Sequence, residues 1–202
     1  MATTDVSISN LAISHLGVTK QIANLETEKS EESRACRRFF TTARDKCLRD
    51  FSWPFASKIA ALALIEEDPN DEWAYSYRYP SDCLEFKRIL SGTRQDTRQS
   101  RVPYKISQDD AGLLIFSDQE DAEAEYTMRT DQPELYPPDF TVALSFLLAH
   151  YIAPSLTNGD PFKMGERALK MYLYEISRAQ ANAGNEEQPE EEPNAQMIRD
   201  RD

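Results

Sequence analysis

The stretch Phe51-Ser52-Trp53-Pro54-Phe55-Ala56 decides how this chain divides, and a second stretch answers it: Trp73-Ala74-Tyr75-Ser76-Tyr77-Arg78-Tyr79-Pro80. The first closes a basic, apolar-striped helical segment that ends in Arg44-Asp45-Lys46-Cys47-Leu48. It places a plug of aromatic rings at the turn, and Pro54 marks the exit from the helix. The second alternates aromatic rings with small or polar side chains, the period of a half-buried strand. Alternate positions share one face of a strand, so these rings read as core packing; a base-stacking platform is the rival reading.

Working outward, residues 6–16 form a first helix, with Asp5 as its cap, Gly17 as its stop and Ile8, Leu11, Ala12, His15 and Leu16 on one face. A second helix starts at Ser30, an N-cap, with Glu31 and Glu32 where the helix dipole favours acid. Its buried stripe is Cys36, Phe39, Phe40, Ala43 and Cys47, and Arg34, Arg38 and Asp45 lie outside. Residues 55–130 read mainly as strands. The run 59–64 is open between strand and helix, and its shortness between breakers favours strand. Strands are predicted at 73–79, at 83–90 with Leu84, Phe86 and Arg88 on one face, and at 102–106, 113–116 and 122–130. Pro137-Pro138-Asp139 opens a third helix, 140–153, apolar nearly all round and broken or kinked by Pro154. Asp160 as N-cap and Pro161 at the first position open a fourth, which runs to about residue 183 and closes at Gly184. The expected fold is α+β: a four-helix bundle (1–54 and 137–184) with an inserted antiparallel β subdomain (55–136).

The end of the chain differs in composition. Residues 185–202 hold seven acids, two arginines and two prolines, and only Met197 and Ile198 are sizeable apolar groups. Such a segment buries too little to offset its ordering entropy, which predicts a disordered, flexible acidic tail. The whole chain of 202 residues carries a net charge of −12. That opposes primary binding to nucleic acid, whose phosphates are met by Lys and Arg. It suits a surface along which DNA slides without sticking.

Chemistry is sparse. The two histidines, His15 and His150, read as structural. Gly-x-Ser-x-Gly, P-loop and dinucleotide-binding signatures are missing, and three cysteines with two histidines give no zinc spacing. No catalytic residue, metal ligand or cofactor is expected. Cys36 and Cys47 lie roughly 16 Å apart along one helix, too far for a disulfide. Residues 68–72 begin like a calcium loop, but Trp73 and Tyr79 stand where that loop needs Gly and Glu. The first ten residues have neither a basic nor an apolar leader region, and the apolar run 142–152 is short for a bilayer, so a soluble protein without a membrane span is expected. One departure stands out. Lys87, Arg88, Arg94, Arg98, Arg101 and Lys105 face a single acid, Asp96, within residues 87–105. This basic lobe is either a docking surface for an acidic neighbour or phosphate, or a solvated hairpin face.

The order of these parts resembles the tail tubular protein A family, the head-to-tail adaptor of short-tailed bacteriophages. The resemblance rests on Leu16-Gly17, on Ala35-Cys36 leading to Ala43-Arg44-Asp45 and Leu48, and on Trp53-Pro54-Phe55-Ala56. It continues with Trp73-x-Tyr75-x-Tyr77-x-Tyr79-Pro80-x-Asp82-Cys83-Leu84, then Pro137-Pro138-Asp139-Phe140, Leu148-Ala149 and Ile152-Ala153-Pro154. It covers roughly residues 8–183; the acidic tail lies outside it. What the resemblance implies is a non-enzymatic virion protein at the head-tail interface, made in the host cytoplasm. Its ring, twelve-fold in the family, would sit between the portal protein and the tail tube or nozzle protein, with DNA passing through the lumen unbound during packaging and ejection. Tyr174, Met197 and Ile198 are the candidates for portal contact, and Lys87, Arg88, Arg94, Arg98, Arg101 and Lys105 for contact with ring neighbours or tail. The alternative is a nucleic-acid-binding packaging factor that uses the basic lobe. A small hydrolase lacks a nucleophile-base pair.

Overall fold

Two short polar side chains start the first helix. In a computed structural model that describes residues 3–92 and 100–186, Thr4 Oγ1 accepts the Ser7 backbone N–H (3.1 Å) and Ser7 Oγ accepts that of Thr4 (2.9 Å). This reciprocal cap makes Thr4, rather than the expected Asp5, the N-cap of α1 (Asp5–His15). Gly17, at φ 73°, turns the chain out of the helix. Ser30 caps α2 (Glu31–Asp50), accepting from Ser33 N–H at 3.2 Å as its sequence predicts. Ala35, Cys36, Phe40, Ala43, Cys47 and Leu48 form the buried stripe of α2.

The chain leaves α2 at Phe51, in extended conformation, and Trp53 folds back on the helix end. Its indole N–H donates to the carbonyl of Cys47 at 2.8 Å, satisfying one of the last four carbonyls that an α-helix leaves without a partner. The Trp53 ring meets Phe51 and Phe140 edge-on, with centroids 4.8 and 5.1 Å away. Phe55 and Tyr136 complete the cluster against Phe140. The outgoing chain at 51–56 and the returning chain at 136–140 thus share one aromatic junction.

Between them lie seven strands: β1 (Ser57–Ala61), β2 (Ala63–Asn70), β3 (Trp73–Arg78), β4 (Cys83–Ile89), β5 (Tyr104–Asp109), β6 (Gly112–Ser117) and β7 (Glu123–Met128). All pairings are antiparallel, in a sheet of order β1-β7-β4 and a sheet of order β2-β3-β6-β5. The sheets join at two corners. Strands β1 and β2 are nearly continuous through the buried Leu62, whose N–H donates to Ala122 O at 2.8 Å. At the other corner Ile89 bridges Val102. The inner faces close on a core of Leu62, Tyr77, Ile89, Ile115, Ala122, Ala124 and Tyr126, separate from the helical core. Tyr75, Tyr77 and Tyr79 all face this core, as alternation requires.

The returning chain enters α3 (Pro138–Leu156) and then α4 (Met164–Glu186). Asp160 caps α4 by accepting the N–H groups of Met164 (2.6 Å) and Gly165 (2.8 Å), so Pro161 precedes the helix and does not open it. Pro154 lies inside α3, which runs two residues beyond it. Gly165 is a point of close approach: a Cβ there would stand 3.0 Å from Ala153 Cβ and 3.0 Å from Asp160 Oδ2. Helix α4 continues through Gly184 to Glu186, and residues 187–202, most of the expected tail, lie outside the described residues.

The fold expectation is therefore corrected. Among the described residues, four helices and two antiparallel sheets of seven strands make a mixed α+β fold, not a four-helix bundle with a small insertion. The reason lies in the helix faces. Helix α3 is apolar on every side and packs on α1, α2 and α4, whereas α1 and α2 barely touch. Helix α4 buries one stripe, Ala168, Tyr172, Ile176 and Ala179, mainly against α3, and reaches α2 only at the end of that helix, where the Tyr172 hydroxyl donates to Asp50 at 2.7 Å. A bundle needs each helix to meet two. Length and composition would let α3 span a bilayer, and here it is the hub of the helical layer.

Loss of the indole donor leaves Cys47 O without its partner in a buried position. Trp53→Phe should therefore cost about 1–3 kcal/mol, read as a lower urea midpoint with an unchanged m-value.

Candidate docking surfaces

Among the described residues, the cations of the basic lobe do not form one patch. Lys87 and Arg88 stand at the end of β4, beside the corner bridge, and Glu125 of β7 lies across from them. Arg88 Nε meets Glu125 Oε2 at 2.7 Å, Lys87 Nζ stands 3.6 Å from Oε1, and Ser57 Oγ donates to Oε1 at 3.2 Å. Burial raises the Glu125 pKa, but the hydrogen bond and charge of Arg88, with the charge of Lys87, outweigh it and hold the carboxyl below its ordinary range. Arg101 joins Lys87, Arg88 and Tyr104 around a groove of about 590 Å³, floored by Ile89 and Val102. Lys105 lies on β5 and makes only a loose pair with Glu72 at 3.8 Å, both side chains being exposed. Arg94 and Arg98 lie outside the described residues. The structure thus brings together Lys87, Arg88 and Arg101 but places Lys105 on a different surface.

The expected common face of Leu84, Phe86 and Arg88 is also corrected. Register shifts between Cys83 and Glu85 and between Phe86 and Arg88 break the alternation of β4. Leu84 packs against the helical core, Phe86 against the sheet core, and Arg88 turns to Glu125.

On the helical side, Tyr174 lies on the outer face of α4, 56% exposed, with the Arg178 guanidinium 5.9 Å from its ring centroid. Arg178 also meets Glu175 at 3.3 Å. Leu173, 57% exposed, flanks this face, and Phe162 in the preceding turn is 83% exposed. Sequence reasoning missed these last two. Leu173 falls off the three-and-four spacing of the buried stripe, which is the signal that identifies it. Met197 and Ile198 lie outside the described residues.

The remaining candidates are structural in their surroundings. His15 stacks on Phe146 with centroids 3.9 Å apart, and its Nε2 lies 3.0 Å from Ser145 Oγ. Because Ser145 Oγ already donates to Val142 O, His15 Nε2 is the donor in that pair. Burial lowers the pKa of His15. His150 Nδ1 is 2.9 Å from the carbonyl of Gly165, at the tight α3–α4 contact. The three cysteines are free thiols; burial pushes Cys36 up to about 11 and Cys47 higher still, which keeps both protonated. Among the described residues no group of three His, Cys, Asp or Glu side chains is placed to hold a metal ion.

A second charged crevice lies where α2 meets β4. Asp45 of α2 accepts Arg44 at 3.1 Å and Arg129, just beyond β7, at 3.0 Å. It ties the helical layer to the returning strand. No protein-family model and no curated protein matches this chain.

Glu125 supplies a pH dependence of known sign. Its folded pKa lies below the ordinary 4.5, so its stabilisation is complete above that value and is lost as pH falls through the folded pKa. Glu125→Gln should lower the urea midpoint at pH 7, and the gap from the native protein should close as pH falls below about 4.

Proposed function

We propose that this chain is a structural connector of a short-tailed bacteriophage virion, forming a ring between the portal protein and the tail tube or nozzle protein, with DNA passing through its lumen. The reading is drawn from the resemblance in the order and spacing of its motifs. The observation that supports it most directly is the outer face of α4, where Tyr174 and Leu173 are exposed side by side on a helix whose other face is buried. Large apolar and aromatic side chains at the centre of a polar surface mark a protein contact. The net charge of −12 suits passage of DNA without retention.

In this reading the face of α4 meets the portal, and the β body meets ring neighbours or tail. Lys87 and Arg88 are held by Glu125, which favours a shaped protein contact over a phosphate track. Purified protein mixed with portal rings of its own phage should sediment with them, and Tyr174→Asp together with Leu173→Ser should abolish that association while leaving the far-ultraviolet circular dichroism unchanged. Sedimentation with DNA instead, falling steeply with salt, would replace the connector by the packaging-factor reading.

A further inference from the structure

Among the described residues, no strand pairs with either outer edge of the four-stranded sheet. Strand β2 is exposed at every residue but Pro69, and Leu64 and Ile65 are 50% and 43% exposed. On β5, at the opposite edge, Lys105, Ile106 and Gln108 are exposed, Ile106 at 44%. A long open edge with apolar side chains is a template for pairing with another strand.

The rows of the sheet identify that strand. Leu64, Tyr77, Ile115 and Ile106 stand in register across all four strands, an apolar row whose centre is buried and whose two ends are bare. The neighbouring row is Glu66, Ser76, Phe116 and Lys105, and the next is Glu67, Tyr75, Ser117 and Tyr104. Each strand runs antiparallel to its neighbour, so β2 and β5 run in opposite directions. A rotated copy that keeps the same orientation can therefore lay its β2 beside β5 in antiparallel pairing. With the rows continued through the register shift of β2 at Ile65, Ile106 faces Leu64 of the next copy, Lys105 faces Glu66 and Tyr104 faces Glu67. Apolar meets apolar and cation meets acid on directly opposed residues, which stabilises a strand pair. Two-fold pairing of β2 with β2 would instead crowd Glu66, Glu67 and Asp68 against their own copies. The loose Lys105–Glu72 pair leaves Lys105 available for exchange.

We infer that β5 of one copy pairs with β2 of a second copy of this chain, extending the four-stranded sheet from subunit to subunit. The contact joins two different edges, so it is head-to-tail and closes into a ring when the rotation per subunit allows. The inference deepens the connector reading, on which it rests for the closed ring; the strand pairing itself follows from the sheet.

Opposed residues on neighbouring strands lie within disulfide reach. In a Cys83→Ser background, Lys105→Cys and Glu66→Cys in the same chain should give, on oxidation of the concentrated protein, a ladder of linked dimers, trimers and larger species. Either cysteine variant alone should remain monomeric. Without engineered cysteines, association seen by sedimentation velocity should be lost in Lys105→Glu and regained when Glu66→Lys is added. Absence of the ladder, or dimers from one single-cysteine variant, overturns the pairing. Portal co-sedimentation of the native protein reads the connector role separately. Portal binding without the ladder sinks the edge pairing alone; the ladder without portal binding sinks the connector and keeps the pairing.

Discussion

One hydrogen bond and the rings around it hold the two halves of this protein in register. The Trp53 indole caps the Cys47 carbonyl at the end of α2 while its ring fills the space before Phe140 at the start of α3. Both passages of the chain between helices and sheets cross here, through Phe55 on the way out and Tyr136 on the way back. A helix terminus buried without partners for its carbonyls would be costly, and a tryptophan side chain supplies donor and apolar bulk together. The Asp45 ion pairs to Arg44 and Arg129 brace the same crossing from the other side.

Given that anchor, the β body organises itself around its corners. The nearly continuous β1–β2 segment carries the chain from one sheet into the other, and the Ile89–Val102 bridge closes the opposite side. Within the three-stranded sheet, Lys87 and Arg88 of β4 are drawn onto Glu125 of the neighbouring β7, and Ser57 of β1 donates to the same carboxylate. Among the described residues the outer edges of the four-stranded sheet stay unpaired, acidic on β2 and with Lys105 on β5.

Much of the local structure was legible in the residues. Ser30 before Glu31-Glu32, Gly17 after Leu16 and the aromatic alternation through Tyr79 each state a local preference that the fold keeps. Asp160 does cap α4, though the helix starts later than Pro161 suggested, because the aspartate reaches forward over a turn. The bundle was misread because counting apolar helices says nothing of how many neighbours each face will meet. The bulges in β4 were invisible because a register shift depends on the partner strand, and they scattered Leu84, Phe86 and Arg88 to three surroundings. Of the candidate site, Tyr174 was named with the resemblance and is exposed on α4, whereas Leu173 and Phe162 were missed.

By itself the sequence determined the order of helical and strand regions, which rings are core and that charge would be in excess, since these follow from side-chain shape, capping chemistry and period along the chain. The tertiary structure alone decided which faces and edges stay bare. Exposure is set by what packs alongside, so Leu64 and Ile106 become the two open ends of one apolar row only when β3 and β6 bring them into register.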